Sequence, residues 1–130
     1  MSPPLTPDAI RAHSSAAWVG GRIECLDSVD STNSRVRRLG LEGAADGTVV
    51  VAEEQTAGRG RLGRSWVSPR GRNLYLSILL RTGLAADLLS QLSLTAGLAA
   101  CETLGEWCAA TLKWPNDVLV GGRKAVGILA

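Results

Sequence analysis

The sequence predicts an α/β fold, because stretches typical of β-strands alternate along the chain with stretches typical of helices. Short runs rich in β-branched and apolar residues predict strands at 22–29, 48–55 and 74–80. A longer run over 85–104 has apolar residues at spacings of three and four, which is typical of a helix. With 130 residues, 45% of them apolar, the chain is long enough for one domain with a hydrophobic core.

The first half of the chain predicts two helices beside these strands. A short helix over 7–15 is capped by Thr6 or Asp8. A second helix begins at the strong capping residues of "DST" (30–32) and ends near Gly43 and Gly47. The strand "TVVVAEEQ" is β-branched and apolar, so we expect it to be buried.

The third strand has apolar side chains on both of its faces. One face carries every second residue, namely Leu74, Leu76, Ile78 and Leu80, and the other carries Tyr75 and Leu79. This pattern is typical of a strand inside a covered sheet, so we expect both faces to be covered.

The last part of the chain predicts a strand, a turn and a hairpin. "ATLKW" predicts the strand, "PND" the turn, and "VLVGGRKAVGILA" a hairpin turning at Gly121–Gly122. That hairpin would bring Lys124 close to Asp117. The apolar strand runs to Ala130 without a cap or a polar tail. We therefore expect these residues to be the first part of a larger domain.

Composition excludes several classes of protein. The formal net charge of +2 is too small to predict general nucleic-acid binding. The three cysteines lack metal-ligand spacing, and no secretory signal precedes them, which favours a cytoplasmic protein. No segment approaches the roughly 18 to 20 apolar residues that a membrane span needs, so no membrane partner is expected.

The stretch "GRGRLGR" (58–64) is the first candidate site. Its glycines satisfy G-x-G-x-x-G, but a strand rather than a helix follows, so a dinucleotide site is not indicated. The lysine, H-R-D and D-F-G motifs of a kinase are also missing. A pliable backbone with Arg59, Arg61 and Arg64 predicts a loop that is disordered alone and closes over an anionic ligand, excluding water.

The stretch "LKWPNDV" and the strand after it form a second candidate site. Lys113 and Lys124 can neutralise phosphates, and Asp117 can bind Mg²⁺ or orient an attacking amine. The alternative interpretation is an ordinary Pro-Asn-Asp turn with Trp114 in the core.

Five stretches together resemble the biotin–protein ligases, also called biotin–[acetyl-CoA-carboxylase] ligases. They occur in the family's order and approximate spacing: "DSTN" (30–33), "EEQTAGRGRLGRSW" (53–66), "NLYLSILLR" (73–81), "KWPNDVLV" (113–120) and "RKAVGIL" (123–129). The resemblance covers about residues 23–130. It implies a mixed β-sheet backed by helices, similar to class II aminoacyl-tRNA synthetases and lipoate ligases. Residues 1–21 would be an N-terminal segment with a short helix, and 22–130 the first part of the catalytic domain.

The resemblance also implies an activity. The family makes biotinyl-5′-AMP from biotin and ATP with Mg²⁺, and then transfers biotin to one lysine of a biotin carboxyl carrier domain. The residues implied to bind biotin are Ser31, Thr32, Asn33, Gln55, Gly58, Arg59, Gly60, Arg61 and Lys124. Those implied to bind the nucleotide are Arg61, Arg64, Trp66, Asn116 and Lys124.

Three of these positions carry the implied chemistry. Arg61 and Lys124, with Mg²⁺, would spread the charge that develops as the biotin carboxylate attacks the α-phosphorus. Asp117 would hold the acceptor amine, as a base or by a hydrogen bond. The resemblance assigns no metal ligand among the residues.

The sequence departs from the family at both ends. About 20 residues precede the first strand, which is too few for a winged helix-turn-helix, so no DNA-binding domain is expected. The segments that follow the "GIL" strand in the family, which help to form both substrate sites, are not among these residues. The alternatives left open are a lipoate or octanoate transferase of the same fold, an inactive truncated fragment, and an anion-binding module.

Overall fold

The computed structural model describes residues 3–130, and its helices and strands follow the predicted order. The elements are α1 (Pro7–Ala12), β1 (Ile23–Leu26), α2 (Thr32–Leu41), β2 (Val49–Ala52), β3 (Tyr75–Ile78), α3 (Ser90–Gly105), β4 (Ala110–Lys113), β5 (Asp117–Val120) and β6 (Arg123–Gly127). The α/β class is therefore confirmed, although most elements are shorter than the sequence pattern indicates.

The chain divides into two compact units. One comprises the described residues up to Arg59 together with Gly63–Thr82, and the other comprises Gly60–Leu62 together with Gly83–Ala130. The prediction of one catalytic domain over 22–130 stays a prediction.

The first unit is built on a mixed three-stranded sheet in the order β1-β2-β3. β1 runs parallel to β2, with Ile23 opposite Val49, and β3 runs antiparallel to β2, with Ile78 opposite the same valine. The central strand β2 is buried along its whole length, as its β-branched sequence predicts. This arrangement confirms the mixed sheet that the family resemblance implies.

Helix α2 covers one face of this sheet. The hydroxyl of Ser31 accepts a hydrogen bond from the backbone N–H of Ser34, which caps the first turn. The buried side chains Val36 and Leu39 then pack against Val50, which has no exposed surface. Burial of side chains of this size stabilises the unit by about 1.5 to 3 kcal/mol each, so this contact fixes the seat of the helix on the sheet.

The opposite face of the sheet is covered only over β1 and β2. There Ile10 and Val19 pack against a buried cluster that includes Ile23 and Val49. The expectation that both faces of β3 are covered is wrong for the described residues. The apolar row of β3 stays partly exposed, with exposed fractions of 59% for Leu74, 45% for Leu76, 40% for Ile78 and 42% for Leu80. The N-terminal segment covers the parallel pair, and β3 lies at the sheet edge beyond it.

The second unit packs α3 against an antiparallel sheet in the order β4-β5-β6. Gly97 is the buried residue of this helix, and a Cβ there would lie 2.8 Å from Leu112 Cδ1. The helix therefore lies close to the sheet at this residue. The β5–β6 hairpin turns at Gly121 and Gly122, whose φ angles of 58° and 73° match the turn that the sequence predicts.

Ion pairs connect α2 to β1 and to the residues just before the helix. The guanidinium of Arg35 donates to both carboxylate oxygens of Glu24 on β1, each at 2.9 Å. Arg38 makes a similar pair with Asp30, just before the helix. The hydrogen bond from Arg35 lowers the pKa of Glu24, and that from Arg38 lowers the pKa of Asp30.

The Glu24–Arg35 pair predicts a stability that falls in acid. Because the folded pKa of Glu24 lies below its ordinary value of 4.5, the pair stabilises the fold above that pH. The contribution is lost as the pH falls through the lowered folded pKa. We expect Glu24→Gln to lower the free energy of unfolding by up to about 1 kcal/mol at pH 7, with the difference from wild type shrinking toward pH 3. Urea unfolding measured across that range tests this.

Glu102→Gln is the matched control, since Glu102 is an exposed residue of α3 without an ion pair among the described residues. A Glu24→Gln difference that stays constant between pH 7 and pH 3 would contradict the proposed pairing.

Candidate functional site

The side-chain amide of Gln55 joins three separate parts of the first unit. Its Oε1 accepts hydrogen bonds from the backbone N–H of Thr32 at 2.8 Å and from the Thr32 hydroxyl at 3.1 Å. Its Nε2 donates to Ser68 Oγ at 2.9 Å. Gln55 follows β2, Thr32 begins α2, and Ser68 lies on the chain returning from the Gly/Arg loop. The amide therefore holds the start of the helix and the base of the loop together.

The predicted residues of "DSTN" lie at the start of α2. Ser31 and Thr32 are almost fully buried, with exposed fractions of 3% and 4%, and Asn33 is half-buried. The Ser31 oxygen caps the helix, so part of its hydrogen-bonding capacity is used within the fold. A helix start with buried neutral polar groups suits a neutral polar ligand better than a charged one.

The Gly/Arg loop forms a short hairpin with a defined conformation. The backbone N–H of Trp66 donates to Gly58 O at 2.8 Å, and Arg59 pairs antiparallel with Ser65. At the tip Leu62 has a φ of 58°, a left-handed conformation that is rare for a leucine. Disorder of the loop in the free chain, which the sequence led us to expect, stays a prediction. Its closure over a ligand stays a prediction.

Gly58 is a glycine for a steric reason. A Cβ at this position would lie 2.4 Å from Trp66 O, 2.7 Å from Ser68 Oγ and 3.0 Å from Gln55 Nε2. Gly63 is different, because its φ of 72° is the requirement there. The pliable backbone that the sequence suggests is therefore not why Gly58 occurs at the base of the loop.

The arginines of the loop differ in their partners. Arg59 donates through Nη2 to the hydroxyl of Ser34 on α2 at 2.7 Å. Arg61 and Arg64 are exposed and form no hydrogen bond or ion pair with any residue of 3–130. Two guanidinium groups without partners can bind an anion without first breaking an ion pair. Trp66, which follows them in the sequence, is half-buried.

In the second unit Lys124 and Asp117 meet as the sequence predicts. Lys124 Nζ lies 2.8 Å from Asp117 Oδ1. Lys124 is opposite Leu119 in the β5–β6 register, which puts it diagonally across from Asp117 on the same face. Asp117 Oδ1 is buried and has no well-aligned hydrogen bond within the described part of the chain. We therefore treat the contact as an ion pair held by charge.

The other residues of this cluster have simpler surroundings. The Asn116 side chain donates to Ile128 O at 2.7 Å and so closes the end of the hairpin. Lys113 is exposed. Trp114 is 76% exposed, so the alternative interpretation that made it a core residue is wrong.

The described residues do not form a magnesium site by themselves. No group of three or more acidic, histidine or cysteine side chains that could hold a metal occurs among residues 3–130. Asp117, the acidic residue assigned to the site, is already paired with an ammonium group.

A small cleft elsewhere in the first unit contains none of the predicted site residues. Its volume is about 120 Å³, and it is lined by Pro4, Leu5, Cys25, Leu26, Asp27, Val51, Ala52 and Glu53. Burial raises the pKa of the Cys25 thiol, which makes it a poor nucleophile. The residues of the motifs and this cleft are therefore separate features. No helix within 3–130 has the length and apolar character needed to span a membrane.

Two residues of the Gln55 network were not predicted. Ser68 is 4% exposed and bonded to Gln55, and Ser77 Oγ lies 2.9 Å from Thr32 Oγ1. The signal that could have pointed to Ser77 is its position as the one polar residue in the strand "LYLSILL".

Comparison with known proteins identifies the family. Residues 25–130 match the family described as the biotin/lipoate A/B protein ligase family. The chain belongs to this family.

Three relatives of the biotin/lipoate ligase family show how much of the fold is shared. A biotin–[acetyl-CoA-carboxylase] ligase of Mycobacterium tuberculosis is 38% identical over the whole of this chain and 52% of its own length. A biotin protein ligase from Aquifex aeolicus, solved with biotin and ATP, is 41% identical with a TM-score of 0.70 over 84% of this chain and 46% of that one. The Leishmania major ligase, solved with biotinyl-5-AMP, is 35% identical with a TM-score of 0.68 over 84% and 51%.

The chain spans 39% to 52% of the length of the first curated relatives that it matches. The similarity in fold therefore covers about half of each ligase, and the family match over residues 25–130 includes every motif named above. It confirms the α/β fold class of the biotin and lipoate ligases.

The packing at Gly58 predicts that Gly58→Ala opens the base of the loop. The added methyl overlaps a backbone oxygen and the Ser68 hydroxyl, which costs about 1 to 3 kcal/mol in a packed site. We expect the Trp66 amide proton, bonded to Gly58 O, to exchange with solvent about tenfold faster or more. Amide hydrogen exchange followed by NMR measures this.

Gly83→Ala is the control, because a Cβ at Gly83 meets no atom within 4 Å. Unchanged protection of the Trp66 amide in Gly58→Ala would show that the loop base is not packed as described.

Proposed function

We propose that the protein activates biotin with ATP to form biotinyl-5′-AMP and transfers biotin to a lysine of the biotin carboxyl carrier domain of a carboxylase. The observation that carries this proposal is the network joining Thr32, Gln55 and the base of the Gly/Arg loop. It brings two of the motif stretches, "DSTN" and "EEQTAGRGRLGRSW", to one place in a fold similar to a ligase solved with biotin and ATP.

The proposed biotin site uses the polar groups at the start of α2. A bicyclic ureido ring is neutral and has both N–H donors and a carbonyl acceptor, so it needs fixed neutral partners. The groups proposed to contact biotin are those of Ser31, Thr32, Asn33, Gln55, Gly58, Arg59, Gly60, Arg61 and Lys124. The buried hydroxyl and amide groups among them supply orientation without a desolvated charge.

The proposed nucleotide site uses the cations. Arg61, Arg64 and Lys124 would contact phosphate oxygens, with Trp66 and Asn116 beside the nucleotide. When the biotin carboxylate oxygen attacks the α-phosphorus, the P–O bond to pyrophosphate breaks and negative charge builds on the leaving group. Arg61 and Lys124 would stabilise that charge, because a guanidinium and an ammonium group donate charge-assisted hydrogen bonds to phosphate oxygens. Mg²⁺ would enter as Mg·ATP, and no residue of this chain is assigned as its ligand.

Asp117 has a role in both halves of the proposed reaction. In the free protein it pairs with Lys124, which keeps the ammonium oriented. Once phosphate oxygens share Lys124, the carboxylate is released to accept a hydrogen bond from the incoming lysine amine of the carrier domain. The amine nitrogen then forms an amide bond to the acyl carbon, the C–O bond to AMP breaks, and the amine loses a proton to Asp117 or to solvent. We place this activity in the cytoplasm and in a single catalytic domain that includes residues 22–130.

The direct test is exchange of labelled pyrophosphate into ATP in the presence of biotin and Mg·ATP. We expect label to enter ATP only when biotin is present, because reversal of adenylation requires bound biotinyl-5′-AMP. Exchange supported by lipoate or octanoate instead of biotin would point to the lipoate branch of the family. No exchange with any of these acids would leave the chain as a fragment or an anion-binding module and contradict the proposal for these 130 residues.

Substitution of the charged groups separates binding from chemistry. We expect Lys124→Ala and Arg61→Ala each to slow exchange by about 100-fold or more, the effect of removing one preorganised charge from a transition state. Arg123→Ala is the control, since Arg123 neighbours Lys124 on β6 and is exposed. Rates for Lys124→Ala equal to those for Arg123→Ala would remove Lys124 from the mechanism.

A further inference from the structure

We infer that Ser77 is a specificity-determining residue of the biotin site, because it ends a chain of hydrogen bonds whose proton direction is fixed and offers a ligand only an acceptor. The chain of groups runs from Ser77 through Thr32, Gln55 and Ser68 to the backbone carbonyl of Trp66, and we call it the Ser77–Trp66 relay. This inference rests on the proposed function, since the ligand that it discriminates is biotin.

The direction of the relay is set at its Trp66 end. A backbone carbonyl can only accept, so the Ser68 hydroxyl, 3.0 Å away, must donate to Trp66 O. A serine has one proton, and Ser68 has used it. Its contact with the Gln55 side chain at 2.9 Å therefore requires Ser68 to accept, which identifies the facing atom as the amide nitrogen. Ser68 is 4% exposed, so bulk solvent does not offer an alternative partner.

The middle of the relay is fixed a second time by a backbone donor. With Nε2 on Ser68, the amide oxygen of Gln55 faces Thr32. The Thr32 backbone N–H, which can only donate, lies 2.8 Å from that oxygen and confirms the orientation independently. The Thr32 hydroxyl is 3.1 Å from the same oxygen and must also donate to it, because two oxygens need a proton between them.

The open end of the relay follows by the same reasoning. The Thr32 hydroxyl has given its proton to Gln55, so it can only accept at its 2.9 Å contact with Ser77 Oγ. Ser77 must then donate to Thr32 and retains only lone pairs. Ser77 is half-buried on β3, on the face that carries α2. A ligand at this position has to bring an N–H or an O–H, and a carboxylate or phosphate oxygen would be repelled.

The relay explains why position 58 is a glycine and position 77 a serine, which the motif itself does not explain. Gly58 lies against the fixed end of the relay, and a Cβ there would reach Ser68, Trp66 and Gln55 together. Ser77 interrupts an otherwise apolar strand at the position opposite the fully buried Val50. Both choices preserve the relay, and the ring N–H of biotin is the donor that fits its open end.

The experiment combines a protein change with a ligand change. Calorimetric titrations compare biotin with analogues in which one ring N–H is replaced by oxygen, against wild type, Ser77→Ala and the exposed control Ser15→Ala. We expect Ser77→Ala to weaken biotin binding about 10- to 100-fold, and to bind biotin and one of the two analogues equally well. Wild type and Ser15→Ala should prefer biotin over that analogue by the same factor. An unchanged preference in Ser77→Ala would overturn the inference.

A second measurement separates failure of this inference from failure of the proposed function. If wild type binds no biotin, the proposed function fails for these residues. The direction of the relay is then tested separately, by measuring the side-chain amide protons of Gln55 by NMR. Ser68→Ala removes the fixed end, so the Gln55 amide signals should shift and exchange faster with solvent. Ser77→Ala lies beyond the fixed end and should leave them nearly unchanged. Equal changes in both variants would show that the relay has no fixed direction.

Discussion

The rest of the site depends on one amide group held between partners that each allow a single orientation. Gln55 accepts from Thr32 on one side and donates to Ser68 on the other, so it cannot turn without leaving buried polar groups unpaired. That constraint ties the start of α2 to the base of the Gly/Arg loop. Neutral polar residues, and not the arginines, therefore form the centre of this hydrogen-bond network.

The hydrophobic core and one ion pair hold α2, and with it the partners of the Gln55 amide, in place. Val36 and Leu39 press α2 onto Val50, and the Glu24–Arg35 pair holds the first turns of the helix against β1. Because the helix seat is fixed by a well-packed core, the polar groups at its N-terminus keep their positions without a ligand. The arginines of the loop tip have the opposite property, since Arg61 and Arg64 lack partners within the described chain and are available to an anion. The fixed neutral group of Gln55 and the exposed cations of Arg61 and Arg64 thus lie in adjacent parts of one sequence motif.

Sequence reasoning succeeded where the determining interactions are local. The glycine pair of the β5–β6 turn fixes a two-residue hairpin, and that register alone predicts the Lys124–Asp117 contact. It failed where long-range packing decides. The residues around Leu76 and Ile78 in the sequence do not show that the N-terminal segment leaves this face of β3 uncovered. Ser68 and Ser77 belong to the site only because the sheet and loop bring them to Gln55 and Thr32. Gly58 was predicted as a site residue, but the physical reason for it is steric contact and not flexibility.

The proposed function requires biotin to bind at the start of α2 beside Gln55. The most direct measurement is the change in backbone and side-chain amide NMR shifts when biotin is added to the isotopically labelled protein. We expect the largest changes in NMR shift at Thr32, Gln55, Gly58 and Ser77. Changes confined to the separate cleft around Leu5, Cys25 and Glu53, with none at Gln55, would contradict it.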